Sequence, residues 1–233
     1  ISELARPNDV AGAWLQVESV RRAMAPAAAT VHHHPSRELQ LVGITGTNGK
    51  TTTAYLIASI PDAAGEPVAM TGTVEYRIGA KKIKADRTTP EATDMQRLLR
   101  EAVEVGCKTA VMECSSQAMD FHRCDALDYS VAVFSNLTRD HLDYHQTMEN
   151  YWYAKQRLFD GRLGSRPKTA VINMDDPYGR ELAAKLEREG QRVVRYAVKS
   201  DADVTARAAE FSLAGMRFQL HTPAGGCDFH SPL

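Results

Sequence analysis

No apolar run in the 233-residue sequence approaches the roughly 20 residues that a membrane helix needs, which excludes a helical membrane span. The amino end, ISELARPNDV, carries no basic region followed by an apolar stretch, so it does not read as a secretory signal and a cytoplasmic protein is expected. An excess of either charge is also missing. With 28 Lys and Arg against 29 Asp and Glu, the formal net charge is -1, so neither nucleic acid nor an anionic membrane is an expected partner. Any affinity for anions must therefore be local. Cysteine is scarce: Cys107, Cys114, Cys124 and Cys227 are spaced like neither a zinc site nor a disulfide framework, and buried free thiols are expected. There is no repeat or low-complexity tract. The length suffices for a sizeable core in one large domain or two small ones.

What is present centres on LQLVGITGTNGKTTTA, residues 39–54. The apolar run 41–44 reads as a buried parallel strand, followed by a turn of small residues, 45–49, and a helix-compatible run from Lys50. This is the pattern of a phosphate-binding loop. Gly46 and Gly49 let the backbone approach an anion, and the start of the next helix adds its positive dipole end. Lys50 is placed to reach outer phosphates, and the Thr51 hydroxyl to ligate Mg2+. The general pattern wants a glycine where Ile44 stands, so what remains is the more particular Gly-Thr-Asn-Gly-Lys-Thr-Thr.

Before this loop, residues 11–25 suggest an amphipathic helix stopped by Pro26. His32, His33 and His34 then precede Pro35. Adjacent side chains on an extended pre-proline segment diverge, so these histidines are not expected to hold metal. After the loop, apolar strands alternate with helical stretches, which predicts an α/β fold: a mostly parallel, doubly wound sheet flanked by helices. A helix over 52–60 is expected to break at 61–67, then a strand over 68–77, a turn at Gly79 and a short hairpin strand over 81–84. Arg87-Thr88-Thr89-Pro90-Glu91 opens a helix over 92–105, with a capping signal at an anion-friendly helix start.

The strand 109–112 ends in Glu113, and in open parallel sheets ligands lie beyond the carboxyl ends of strands, so Glu113 faces the same crevice as Lys50 and is a metal candidate. The strand 131–137 runs into a titratable cluster over 138–145, which the same argument makes functional. A helix over 149–159 buries Tyr151, Trp152, Leu158 and Phe159, and periodicity alone leaves Lys155 as an exposed, snorkelling lysine. Strands at 169–173 and 193–198 flank a helix that ends near residue 189. Residues 204–220, turning at Gly215, predict a short antiparallel edge, and 222–233 reads as a Gly- and Pro-rich end.

GTNGKTTTAYLIASI, RTTPEATDMQRLL, AVMECSSQAMDFHR, VFSNLTRDHLDYHQTMENYWYAKQRLF and VINMDDPYG together resemble the central ATP-binding domain of the MurE branch of the Mur ligases, over about residues 14–220. The phosphate loop alone is also similar to that of folylpolyglutamate and cyanophycin synthetases, but the SSQAM and NLTRDHLDYH motifs favour the MurE branch. The resemblance implies ATP-dependent addition of the third stem-peptide amino acid, diaminopimelate or lysine, to UDP-N-acetylmuramoyl-L-alanyl-D-glutamate through an acyl phosphate, in peptidoglycan synthesis. By the same pattern Gly46, Thr47, Asn48, Gly49, Lys50, Thr51 and Thr52 bind ATP, with Asn173 and Asp175 or Asp176 at adenine and ribose. Thr51, Glu113 and His141 hold Mg2+, joined by Lys155 as a carbamate, so the catalytic set is Lys50, Glu113, His141 and Lys155. Thr88, Thr89, Ser115 and Arg123 meet the UDP-muramoyl dipeptide.

The resemblance also implies that residues 1–37 are the tail and linker of an amino-terminal uridine-binding domain, that 38–233 form the central domain, and that the carboxy-terminal domain has no counterpart here. A monomer is expected. Three positions depart from the family pattern: Arg87 stands where related sequences often have Asn, Phe121 where some have a polar substrate contact, and Gln146 where Gly is common. The competing reading is a nucleotide-binding module without ligase activity.

Overall fold

The computed structural model describes residues 1–9, 11–213 and 215–232. Ala214 and Leu233, which fall in the stretches expected to form the C-terminal edge and end, lie outside the described residues. One sheet of 11 strands organises the chain, in the order β11-β10-β9-β8-β7-β6-β1-β5-β2-β3-β4. Its middle is parallel: β1 (Gln40–Thr45) lies between β5 (Thr109–Glu113) and β6 (Val131–Phe134), with β2 (Val68–Thr71) beyond β5 and β7 (Thr169–Asn173) and β8 (Val193–Ala197) beyond β6. Both edges are antiparallel. β3 (Glu75–Ile78) and β4 (Lys81–Lys84) form one, while β9 (Val204–Ser212), itself parallel to β8, starts a meander through β10 (Gly215–Thr222) and β11 (Gly225–Ser231) at the other.

Strand alternation sorts the core onto two faces. Val42, Ile44, Val111 and Val133 pack with Ala54 and Ala58 of α2 (Lys50–Ala63) on one face. Leu41, Met112, Phe134 and Ile172 face the other, under α3 (Ala92–Val105), α6 (Met148–Gln156) and α7 (Pro177–Arg188). Truncating a fully buried anchor such as Phe134 to Ala would cost about 3–5 kcal/mol. Gly43 is required on the second face, because a Cβ there would stand 2.7 Å from the Tyr129 ring.

Five expectations need correction. Pro26 does not end the first helix: α1 runs Val20–Val31, capped by Ser19, and packs on α3 through Ala25, Ala28 and Ala29, so tertiary burial overrides the break. Pro61 likewise sits inside α2. The stretch 68–77 is two strands, since the chain reverses at Gly72, where a Cβ would collide with the Glu113 carboxylate. Residues 225–231 form β11 rather than an irregular end, because pairing with β10 satisfies a backbone that its glycines leave undirected. The His32–His34 segment is not extended either. His33 and His34 adopt φ of 55° and 50°, and Arg100 holds the carbonyls of His32 and His33 at 2.9 and 3.1 Å.

Candidate functional site

β1 neighbours β5 on one side and β6 on the other, so the chain switches direction across the sheet at the carboxyl end of β1, where a crevice opens. The loop 45–49 lies there. Gly46 (φ 149°) is pressed against Ser135, leaving no room for a Cβ, and Gly49 (φ 85°) caps α2 in the left-handed region. Thr47 and Asn48 donate their N–H groups to the carbonyl and side-chain oxygens of Asn136 at 2.8 and 3.0 Å, and Ser135 Oγ donates to the Asn48 carbonyl at 2.7 Å. These ties hold the loop from β6. Its outer part, Asn48 and Gly49, is exposed, and the first N–H groups of α2 have no intrahelical acceptor, so they are available to an anion, with Thr52 exposed on the first turn.

Lys50 Nζ folds back onto the Gly46 and Thr47 carbonyls at 3.0 Å each. Burial lowers its pKa, outweighing the opposite pull of Glu113 and Asp140. Glu113 is buried at the end of β5 and accepts from Thr51 Oγ1 at 3.0 Å, from the Thr73 N–H at 3.0 Å and from Thr73 Oγ1 at 3.2 Å. A hydroxyl and a carboxylate touching each other at the mouth of a phosphate loop are the hard oxygen donors that Mg2+ selects, so Thr51 and Glu113 fit the ion. Thr73 also meets Thr88 Oγ1 at 3.1 Å. Nothing in the sequence distinguished Thr73, because its role arises only when the β2–β3 reversal crosses β5.

Lys155 overturns its periodicity reading. It is 1% exposed, its Nζ donates to the Gly46 carbonyl at 2.8 Å and lies 4.4 Å from the Tyr151 ring centroid. Burial first, and the nearby Lys50 charge second, lower its pKa well below that of an ordinary lysine. Helix α6 places it there because Trp152 and Tyr151 are core residues of the same helix and leave Lys155 facing the loop.

His141 is not gathered with the others. Its side chain is half exposed, with Nε2 3.6 Å from Asp140, and among the described residues no group of three or more His, Cys, Asp or Glu side chains could hold a metal ion. His145, from the same titratable cluster, is structural: it is buried, with Nε2 2.8 Å from Ser116 Oγ and Nδ1 3.6 Å from Asp120.

The expected substrate side is contiguous. Thr89 Oγ1 donates to the Glu113 carbonyl at 2.7 Å and accepts from the Ser115 N–H at 3.2 Å, while Arg123 pairs with Glu91 at 2.9 Å. At the other end, Asn173 donates to the Ser135 carbonyl at 2.7 Å. Asp175 is committed to the fold: it accepts the N–H groups of Val198, Lys199 and Ser200, and these bonds outweigh desolvation to lower its pKa. Asp176 caps α7 and also accepts the Leu137 N–H at 2.9 Å. Three thiols, Cys107, Cys114 and Cys124, are buried and free of disulfides as expected, but Cys227 is exposed on the edge strand β11.

Gln146, at the end of the short helix Leu142–His145, adopts φ 67° and ψ -45°, a conformation only glycine takes without strain. Gln146→Gly is therefore expected to stabilise the chain by about 1 kcal/mol, measurable as a shift in the urea midpoint at unchanged slope.

Residues 44–233 match the Mur ligase middle domain family. The chain is 46% identical over 224 residues to a UDP-N-acetylmuramoyl-L-alanyl-D-glutamate–2,6-diaminopimelate ligase of Geobacter metallireducens, covering 94% of this chain and 43% of that protein. A solved structure of a ligase of the same description superposes with a TM-score of 0.82 at 31% identity, over 98% of this chain and 46% of that one. A Mycobacterium tuberculosis folylpolyglutamate synthase complexed with ADP and AMPPCP shares the fold, with a TM-score of 0.69 at 19% identity over 91% of this chain and 54% of that one. The chain thus spans about half the length of the relatives it matches.

Proposed function

The chain belongs to the Mur ligase family through its middle domain, and from that premise we propose that it is the ATP-binding domain of a ligase that joins diaminopimelate to UDP-N-acetylmuramoyl-L-alanyl-D-glutamate. Residues 38–233 make up this domain, and residues 1–37 are the tail and linker of a uridine-binding domain, with α1 packed on α3. The protein acts in the cytoplasm as a monomer, without nucleic acid or membrane partner. Among the described residues, no helix is long and apolar enough to cross a membrane. The observation that carries the reading is the Thr51–Glu113 contact at the mouth of the glycine loop, with Lys50 and Lys155 both converging on the Gly46 carbonyl.

In this mechanism the first N–H groups of α2, held in place by the loop, bind the phosphates of ATP, and Lys50 swings from the Gly46 and Thr47 carbonyls to the transferred group. Thr51 and Glu113 hold Mg2+, which would neutralise charge on the phosphate oxygens. His141 approaches from its exposed loop, and Lys155, whose depressed pKa favours the neutral amine, is the site that takes up CO2 as a carbamate. The arrangement aligns the substrate carboxylate for attack on the γ-phosphate, and an amine then displaces phosphate from the acyl phosphate. Asn173 borders the adenine side through its place beside Ser135, whereas Asp175 serves there by shaping the 198–200 loop.

The test separates binding from turnover. Calorimetry with AMPPCP is expected to show Mg2+-dependent binding that Thr51→Val weakens about tenfold, since one oxygen ligand is lost without change of shape. Equal affinity with and without Mg2+ would sink the metal assignment. Phosphate release on adding the muramoyl dipeptide distinguishes a ligase domain from a nucleotide-binding module.

A further inference from the structure

Thr73 stands between the two halves of the crevice and belongs to neither. Its N–H donates to Glu113 Oε1 at 3.0 Å, its hydroxyl donates to Glu113 Oε2 at 3.2 Å, and the same hydroxyl meets Thr88 Oγ1 at 3.1 Å. Thr51 Oγ1 reaches Glu113 Oε2 at 3.0 Å. An unbroken line of oxygens therefore runs from Thr88, on the side proposed for the muramoyl substrate, through Thr73 and Glu113 to Thr51 at the phosphate loop.

A carboxylate only accepts, and a hydroxyl has one proton to give. Together these fix the direction of the line. Because the Thr73 proton goes to Glu113, the Thr73 oxygen accepts from Thr88, whose own proton is then spent inside the protein. A cation on Glu113 Oε2 reverses the line: its charge repels the Thr73 proton, which turns to the Thr88 oxygen 3.1 Å away and releases the Thr88 proton toward the substrate. The same reversal follows from the substrate side. An acceptor that takes the Thr88 proton leaves the Thr88 oxygen to Thr73 and draws the Thr73 proton off Glu113. In both cases the Thr73 N–H stays on Oε1, so the carboxylate keeps its orientation while the hydroxyls turn. Thr89 has no such freedom, because its hydroxyl is held by the Glu113 carbonyl at 2.7 Å and the Ser115 N–H at 3.2 Å.

We infer that Thr73 is a positioning residue that couples the two ligands of the crevice: its hydroxyl switches between Glu113 and Thr88, so that Mg2+ with its nucleotide and a hydrogen-bond acceptor of the muramoyl substrate each strengthen the binding of the other. The inference rests on the substrate reading above, through Thr88. Linkage makes the coupling reciprocal, and one hydrogen bond gained or lost sets its size at about fivefold.

The experiment measures AMPPCP affinity by calorimetry, with and without Mg2+ and with and without UDP-N-acetylmuramoyl-L-alanyl-D-glutamate, while NMR follows binding of the muramoyl dipeptide separately. In the parent chain the dipeptide should tighten Mg2+-AMPPCP about fivefold and leave AMPPCP without Mg2+ unchanged. Thr73→Val keeps the shape and the N–H bond to Glu113 but has no hydroxyl, so the effect of the dipeptide should vanish. In that variant Mg2+-AMPPCP alone should bind as in the parent or up to about threefold tighter, since no proton competes with the cation. Thr73→Ser should restore the coupling. A threonine that only supports the fold would instead weaken both ligands when replaced by Val and leave their ratio as it was. The relay is overturned if the dipeptide binds the parent without tightening Mg2+-AMPPCP, if Thr73→Val keeps the coupling, if Thr73→Ser loses it, or if Thr73→Val weakens Mg2+-AMPPCP alone. Failure of the dipeptide to bind the parent would strike the substrate reading and the relay with it, and the NMR titration distinguishes that result from loss of coupling alone.

Discussion

Lys50→Ala is expected to reduce Mg2+-dependent turnover by about a hundredfold or more while leaving the chain folded. Among the described residues Lys50 Nζ hydrogen-bonds to the Gly46 and Thr47 carbonyls, and burial outweighs the pull of Glu113 and Asp140 to disfavour its charge, so removing it relieves desolvation as it breaks two hydrogen bonds. The net change in stability should stay within about 1 kcal/mol. On a phosphoryl group the same ammonium acts with full charge at the point where negative charge develops, and catalysis by positioning and electrostatics is what such loops supply. A variant that binds AMPPCP as tightly as the parent, or turns over at a comparable rate, would show that the loop is not a phosphate site.

The Lys155 series should have the second largest effect, and its members should diverge. Lys155→Ala empties a fully buried position and is expected to cost about 2–4 kcal/mol, which would confound any loss of activity. Lys155→Met keeps the volume and removes the amine, so it should leave stability equal or higher and abolish activity in the complete enzyme. Lys155→Arg should be the least stable, because a guanidinium cannot shed its proton in a site where burial and Lys50 both oppose a cation, nor can it form a carbamate.

The pH dependence has a definite sign. Where the folded pKa of Lys155 lies below its unfolded value of 10.5, the unfolded chain binds more protons, so its contribution to stability improves as pH rises toward 10.5. In degassed, Mg2+-free buffer the advantage of Lys155→Met over the parent should therefore be greatest at neutral pH and shrink as the medium becomes alkaline. A constant difference across that range would place the Lys155 amine in water.

Much of this protein was legible in its residues alone. The run 41–44, the glycines at 46 and 49, and Lys50-Thr51 together specify a strand, a tight turn and a helix start, because local sterics and hydrogen bonding leave few alternatives for that order of residues. Glu113 was placed in the same crevice by the rule for parallel sheets, since strand direction alone decides which end of β5 it occupies. Lys155 shows where local reasoning stops. Helical periodicity says which face a residue shares with its neighbours, not what that face meets, and only the docking of α6 against the loop turned a lysine inward. Thr73, Gly72 and the Arg21–Glu91 contact belong to the same class, joining residues 40 to 70 positions apart. Pro26 failed as a helix stop for a related reason. A missing backbone donor costs a few kcal/mol locally, and burial of Ala25, Ala28 and Ala29 against α3 offsets that cost only once the tertiary structure exists.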